Sequence, residues 1–281
     1  MLLTIDIGNT EVTLGLFDGR RLLRSLRVSS ETRRTADEVA LLLRQAFPEL
    51  RAGERHDAVL ASVVPAQTAV YVQAARRIAG TKPVETSAKT AVGIEIEYRD
   101  PGSVGADRIA NAVAAFERYG APAIVVDFGT ATTFDVLLKP RRYKGGVIAP
   151  GILTGAEHLV RRAARLSAFE LRPPARVVGQ STEESLQSGV FHGAIGQIDS
   201  IVRWISQEER IRPKVVATGG LASAIAPHSK TIQHVDPDLT LHGLRLIHER
   251  HAPSRRSPAG RPAPGASKAP AAASKPKKRR K

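Results

Sequence analysis

The sequence has no cysteine, which excludes a disulfide framework, a thiolate nucleophile, a zinc ribbon and an iron–sulfur centre, and suits a reducing compartment. It lacks any apolar run near the ~18 residues of a membrane span, and Met1-Leu2-Leu3-Thr4-Ile5-Asp6 meets a carboxylate with no basic leader before it. A soluble, cytoplasmic protein with no membrane partner is the expectation. Carboxylates are missing from one stretch altogether, His251 to Lys281, where ten of the 42 Lys and Arg lie. Residues 1–250 therefore hold 32 cations against 27 carboxylates, and the formal charge of +15 falls to +5 without the tail. That tail offers nothing apolar larger than Ala or Pro, so nothing offsets the entropy of ordering it, and residues 251–281 read as a disordered basic extension. It reads as solvated, with scope only for weak, salt-dependent contact with nucleic acid or an acidic partner.

What remains is long enough for two lobes, and an internal repeat suggests them. Leu2-Leu3-Thr4-Ile5-Asp6-Ile7-Gly8-Asn9-Thr10 is echoed by Ile124-Val125-Val126-Asp127-Phe128-Gly129-Thr130-Ala131-Thr132-Thr133. Each copy is an apolar strand ending in Asp-x-Gly, and each runs into a further strand. Val12–Phe17 turns at Asp18-Gly19 toward Leu22–Leu26, and Thr133–Leu138 turns at Lys139-Pro140 toward Tyr143–Ile148. Thr35-Ala36-Asp37-Glu38 is a capping box ahead of the stripe Val39, Leu42, Leu43 and Ala46. Ala58–Val64 reads as a buried strand and Gln67–Ile78 as a helix; Ser181 opens a long helix, Lys214–Ala217 is a strand, Thr218-Gly219-Gly220 a tight turn, and Leu239–His248 a last helix. Alternating strands and helices make the class α/β, with lobes at 1–119 and 120–250 divided near Tyr119-Gly120-Ala121-Pro122.

An Asp at a strand end followed by Gly and Thr places a carboxylate beside unclaimed backbone N–H groups, which can cradle phosphate oxygens while the carboxylate takes a counter-cation. One such turn is an ordinary hairpin signal; two with the same hydroxyl residues point to a nucleotide triphosphate. No Gly-x-x-x-x-Gly-Lys-[Ser/Thr] sequence occurs, so the P-loop class is excluded. In Gly105-Ala106-Asp107-Arg108, ahead of a helical pattern, Asp107 can accept a hydroxyl proton and Arg108 can grip an anion, or the acid can simply favour a helix start. His248-Glu249-Arg250-His251 falls one residue short of a zinc signature, Trp204 reads as core or interface packing, and Gly145-Gly146 and Pro150-Gly151 read either as tight turns or as ligand-shaping elements.

Together Asp6-Ile7-Gly8-Asn9-Thr10, Gly105–Arg108, Asp127–Thr133 and Gly145–Gly151 resemble the signature set of the type III pantothenate kinases. The similarity runs to about residue 250 through Thr182, Gln187-Ser188-Gly189, Thr218–Ala222 and Asp236–Leu239. The resemblance implies duplicated ribonuclease-H-like lobes of the acetate and sugar kinase/Hsp70/actin superfamily, a homodimer, and ATP-dependent phosphorylation of pantothenate to 4'-phosphopantothenate in coenzyme A synthesis. It implies that Asp6, Ile7, Gly8, Asn9, Thr10, Glu11, Val12 and Thr13 form a phosphate loop, with Asp6 near Mg2+, and that Thr130 meets ATP. Asp107 becomes the general base, and Tyr98, Gly105, Ala106, Asp107, Arg108 and Thr182 bind pantothenate, Thr182 from across the dimer. Asp127 holds a monovalent cation, K+ or NH4+. The rival readings are another small-molecule kinase of the superfamily and a non-catalytic transcriptional accessory factor.

Overall fold

A computed structural model describes residues 1–30, 32–51, 53–91, 93–162 and 170–251; residues 252–281 of the basic tail lie outside the described residues, whereas His251 is not tail but the last residue of a helix. The chain opens with β1 (Leu2–Ile7), β2 (Glu11–Asp18) and β3 (Arg21–Ser29), then α1 (Ala36–Ala46), β4 (Asp57–Ser62), α2 (Pro65–Ala79) and β5 (Val84–Glu85). A short β6 (Glu95–Ile96) and α3 (Ala106–Arg118) lead to β7 (Ala123–Phe128), β8 (Ala131–Leu138) and β9 (Arg142–Pro150). Then come α4 (Ile152–Arg162), α5 (Thr182–Glu208), β10 (Lys214–Gly219), α6 (Ala222–Ile225), β11 (His234–Val235) and α7 (Leu239–His251).

The first sheet runs β3-β2-β1-β4-β5, and the second runs β9-β8-β7-β10-β11 with β6 added beyond β9. In both, three antiparallel strands are followed by two parallel ones, so the repeat in the sequence is a repeat of topology. Alternation along each strand sorts the layers. On β1, Leu3, Ile5 and Ile7 join Val39, Leu43 and Tyr71 of α1 and α2 in one core, while Leu2 faces the opposite way with Phe17, Val59 and Ala61. That second core also takes Ile109, Ala110 and Val113 of α3, Leu241 and Leu244 of α7, and Val125 and Val216 of the second sheet. The outer face of the second sheet, Ile124, Val126, Val215 and Ala217, packs with Ile198 and Val202 of α5. Helices α3 and α7 thus form a layer between the two sheets.

Local chemistry accounts for the element boundaries. Both hydrogen bonds of the Thr35/Glu38 capping box are made, and Ser181 caps α5 by accepting from the Glu184 amide at 3.1 Å. Gly145 and Gly146 are strand residues of β9 rather than turn residues: a Cβ at Gly146 would overlap the Phe134 carbonyl and press on the Arg108 guanidinium. Trp204 is 65% exposed, so it is not a core residue, because it sits on the solvent side of α5.

Candidate active site

Asp6 precedes the last residue of β1, and the period of two puts it on the face of Leu2 and Thr4, toward the α3/α7 layer. Asp127 holds the matching place on β7, on the face of Ala123 and Val125. Asp107 lies in the first turn of α3, between the sheets. The three carboxylates therefore face one cleft, near enough for the Asp107 and Asp127 charges to act on Asp6 and the Asp107 charge to act on Asp127. Burial first, then the Asp107 and Asp127 charges, pushes Asp6 well above the usual carboxylate range. Burial and then Asp107 lift Asp127 to about 7, offset in part by a hydrogen bond from Asn111. Burial likewise raises Asp107, against the backbone N–H of Arg108, which donates to its Oδ1 at 2.7 Å.

The two Asp-x-Gly turns meet across this cleft. Thr10 Oγ1 and Thr130 Oγ1 are hydrogen-bonded at 2.7 Å, and both residues are exposed. The first turn is pinned from behind: the Gly8 N–H donates to Glu11 O, the Ser30 N–H to Thr10 O, and Ser30 Oγ to Gly8 O at 2.7 Å. A cavity of about 480 Å³ lined by Arg33, Arg34, Gln67 and Tyr71 opens beside Ser30, away from the carboxylates. Asn9 and Glu11 are exposed and Thr13 half-buried, whereas Ile7 and Val12 are fully buried in the α1/α2 core and can offer a ligand only their backbone. Behind Asp127, Gly219 has φ +88° and a Cβ there would stand 2.5 Å from Asp127 Oδ1, so only glycine lets this turn close on the carboxylate.

On the other side of Asp107, Arg108 is buried with Asp135: its Nε donates to Asp135 Oδ1 at 2.8 Å, and Tyr143 OH donates to the same oxygen at 2.7 Å. Arg108 Nη2 is 2.7 Å from that carboxylate yet makes no aligned hydrogen bond among the described residues. Tyr98 lies beside Gly145, with its ring 6.4 Å from that of Tyr143. Gly105 stands at the α3 N-terminus and Ala106 is buried. Thr182 lies elsewhere, exposed at the start of α5.

Sequence reasoning missed Asn111, Asp135 and Tyr143. Asn111 is fully buried, donates to Asp127 Oδ2 at 2.8 Å and accepts from Thr240 Oγ1 at 2.7 Å. A single amide inside the apolar run Ile109-Ala110-Asn111-Ala112-Val113 was the available signal; Asp135 within Phe134-Asp135-Val136 was another.

The donors in the cleft are hard oxygens, which suit Mg2+ or K+. Among the described residues no three Asp, Glu or His side chains are close enough to cage a metal by themselves, so a magnesium ion there would depend on phosphate oxygens.

Two sheets that repeat one strand order are the fold of the actin-like ATPases and sugar kinases. A putative 2-dehydro-3-deoxygalactonokinase from Sinorhizobium meliloti shares it with TM-score 0.54 at 13% identity, over 93% of this chain and all of that one. A structure described as a conserved putative Baf family transcriptional activator from Campylobacter jejuni matches with TM-score 0.56 at 19% identity, over 88% and 98%. More narrowly, residues 2–204 match the type III pantothenate kinase family profile, and a type III pantothenate kinase of Geobacter sulfurreducens is 43% identical over 89% of this chain and 99% of its own. The chain belongs to the type III pantothenate kinase family.

Proposed function

We propose that the chain transfers the terminal phosphoryl group of ATP to the primary hydroxyl of pantothenate, the first step of coenzyme A synthesis. The convergence of Asp6, Asp107 and Asp127 on one cleft, in a chain of this family, carries the reading. Phosphoryl transfer asks for positioning and charge neutralisation more than covalent help. Asp6–Thr13 and Thr130 hold the triphosphate between them, with backbone amides and hydroxyls as donors. Asp107 accepts the proton of the pantothenate hydroxyl as that oxygen bonds to phosphorus and the bond to ADP breaks; burial raises its pKa toward the working range of a general base. Arg108, fixed by Asp135, offers Nη2 to the pantothenate carboxylate, with Tyr98, Gly105 and Ala106 alongside. Mg2+ beside Asp6 and K+ or NH4+ beside Asp127, when bound, neutralise the triphosphate.

The exposed Thr182 serves the pantothenate site of a partner subunit in a homodimer. We also place the lobe division near residue 119 and the enzyme in the cytoplasm; no helix among the described residues is long and apolar enough to cross a membrane. A coupled assay across pantothenate, hexoses and acetate, with and without K+, tests the whole reading. Turnover is expected on pantothenate with K+; turnover confined to a sugar or acetate overturns it.

A further inference from the structure

The hydrogen-bonding register places Asp6 on β1 opposite Thr13 on β2, and Thr13 opposite Arg27 on β3. Cross-strand partners point to the same face, so Arg27 stands on the cleft side, while its neighbours Leu26 and Val28 pack toward α1 and α2. The second sheet repeats the rung as Asp127, Thr133 and Ile148. Where one lobe places an arginine the other places an isoleucine, 61% exposed, so the cation is particular to the first lobe.

Arg27 reaches toward the second sheet: its Nη1 would lie 3.5 Å from a Cβ on Gly220, in the turn that follows Gly219. Its charge favours ionisation of both Asp6 and Asp127, so its field covers both ends of the site. The ion pair it makes is loose, 3.8 Å from Glu11 Oε2, with both side chains well exposed (40% and 53%). Such a pair is worth little and is readily exchanged for a better anion. Arg108, by contrast, is held in a buried pair with Asp135 at 2.7 Å and is assigned above to pantothenate rather than to phosphate.

We propose that Arg27 is a phosphate-binding residue: its guanidinium leaves Glu11 to bind oxygens of the ATP triphosphate. A planar, permanently charged fork suits a polyphosphate held between two glycine turns. The inference rests on the placement of the triphosphate between the Thr10 and Thr130 turns, and it goes beyond that placement by adding a side chain from β3.

Arg27→Gln and Arg27→Lys are compared with the wild type in steady-state kinetics for both substrates and in calorimetric titration with ADP. Arg27→Gln should weaken ADP affinity and raise the KM for ATP by about 10- to 100-fold, leaving the KM for pantothenate within about twofold; Arg27→Lys should recover part of the loss. Unchanged ADP affinity and ATP KM in Arg27→Gln would overturn the role of Arg27, as would a defect confined to pantothenate. A wild type that shows no pantothenate turnover would overturn the kinase reading itself, whereas an active wild type with an indifferent Arg27→Gln removes only this residue.

Discussion

Thr10 and Thr130 stand 120 positions apart in the chain, yet their hydroxyl oxygens are 2.7 Å apart across the cleft. Both are exposed, so the bond contributes little to stability, about 1 kcal/mol or less. The same hydroxyls are placed to bind phosphate oxygens, where a hydrogen bond to a charged group is worth more. Thr10→Val should therefore leave the melting temperature nearly unchanged while weakening ADP binding about tenfold. Calorimetric titration beside a thermal melt checks this; a large drop in melting temperature with intact affinity would reverse the assignment.

Asp107→Asn removes the proton acceptor but keeps the shape of the α3 first turn. Turnover should fall by about 10²- to 10⁴-fold with ADP affinity preserved. Near-normal turnover in this variant would take Asp107 out of the chemistry.

Asp127 is raised to about 7, so its contribution to stability is full at low pH and is lost as pH climbs through about 7 and the buried carboxylate ionises. A monovalent cation bound there competes with the proton. Potassium should therefore raise the melting temperature more at pH 8 than at pH 6, and Asp127→Asn should abolish the difference. An equal increment at both pH values would argue against a cation at Asp127.

Asn111→Ala takes away the donor that lowers the Asp127 pKa and leaves Thr240 without its acceptor. Stability should fall by about 1–3 kcal/mol in urea unfolding, and the acidic limb of the pH–rate profile should move to higher pH. If only stability changes, Asn111 is a packing residue.

Asp135→Asn breaks a fully buried ion pair and should cost about 3–5 kcal/mol, whereas Tyr143→Phe, which removes one donor to the same oxygen, should cost about 1 kcal/mol. Comparable losses for the two variants in chemical denaturation would show that the pair is not the stabilising element.

The elements that sequence reasoning placed well were those with local causes. The Thr35 box, the Asp18-Gly19 hairpin and the Asp-x-Gly repeat all rest on contacts within a few residues, and the repeat carried the sheet topology with it. The two-residue strands β5, β6 and β11 escaped because so short a segment has no period of its own; each exists because a longer neighbour offers it an edge. Helix α4 was hidden behind Pro150-Gly151, which look like turn residues. Of the cleft, the charged strand ends were legible, but the groups that steer them were not. Asn111 meets Asp127 only after α3 folds onto β7, and Arg27 acquires meaning only through a register that links three strands.

Helix α7, from the far end of the described chain, lies on β1, β2 and β4 and crosses α3 so closely that a Cβ at Gly243 would overlap the Ala110 carbonyl. The first sheet thus completes one of its two cores with α7, which follows β1 and β2 by more than two hundred positions. During synthesis α3 can cover part of this core early, but Leu2, Phe17 and Val59 lack their α7 partners until Leu239–His251 has been made. A fragment ending near residue 119 would be expected to aggregate rather than stand as an autonomous unit, and supplying α7 in trans, as a separate peptide, would be the natural rescue.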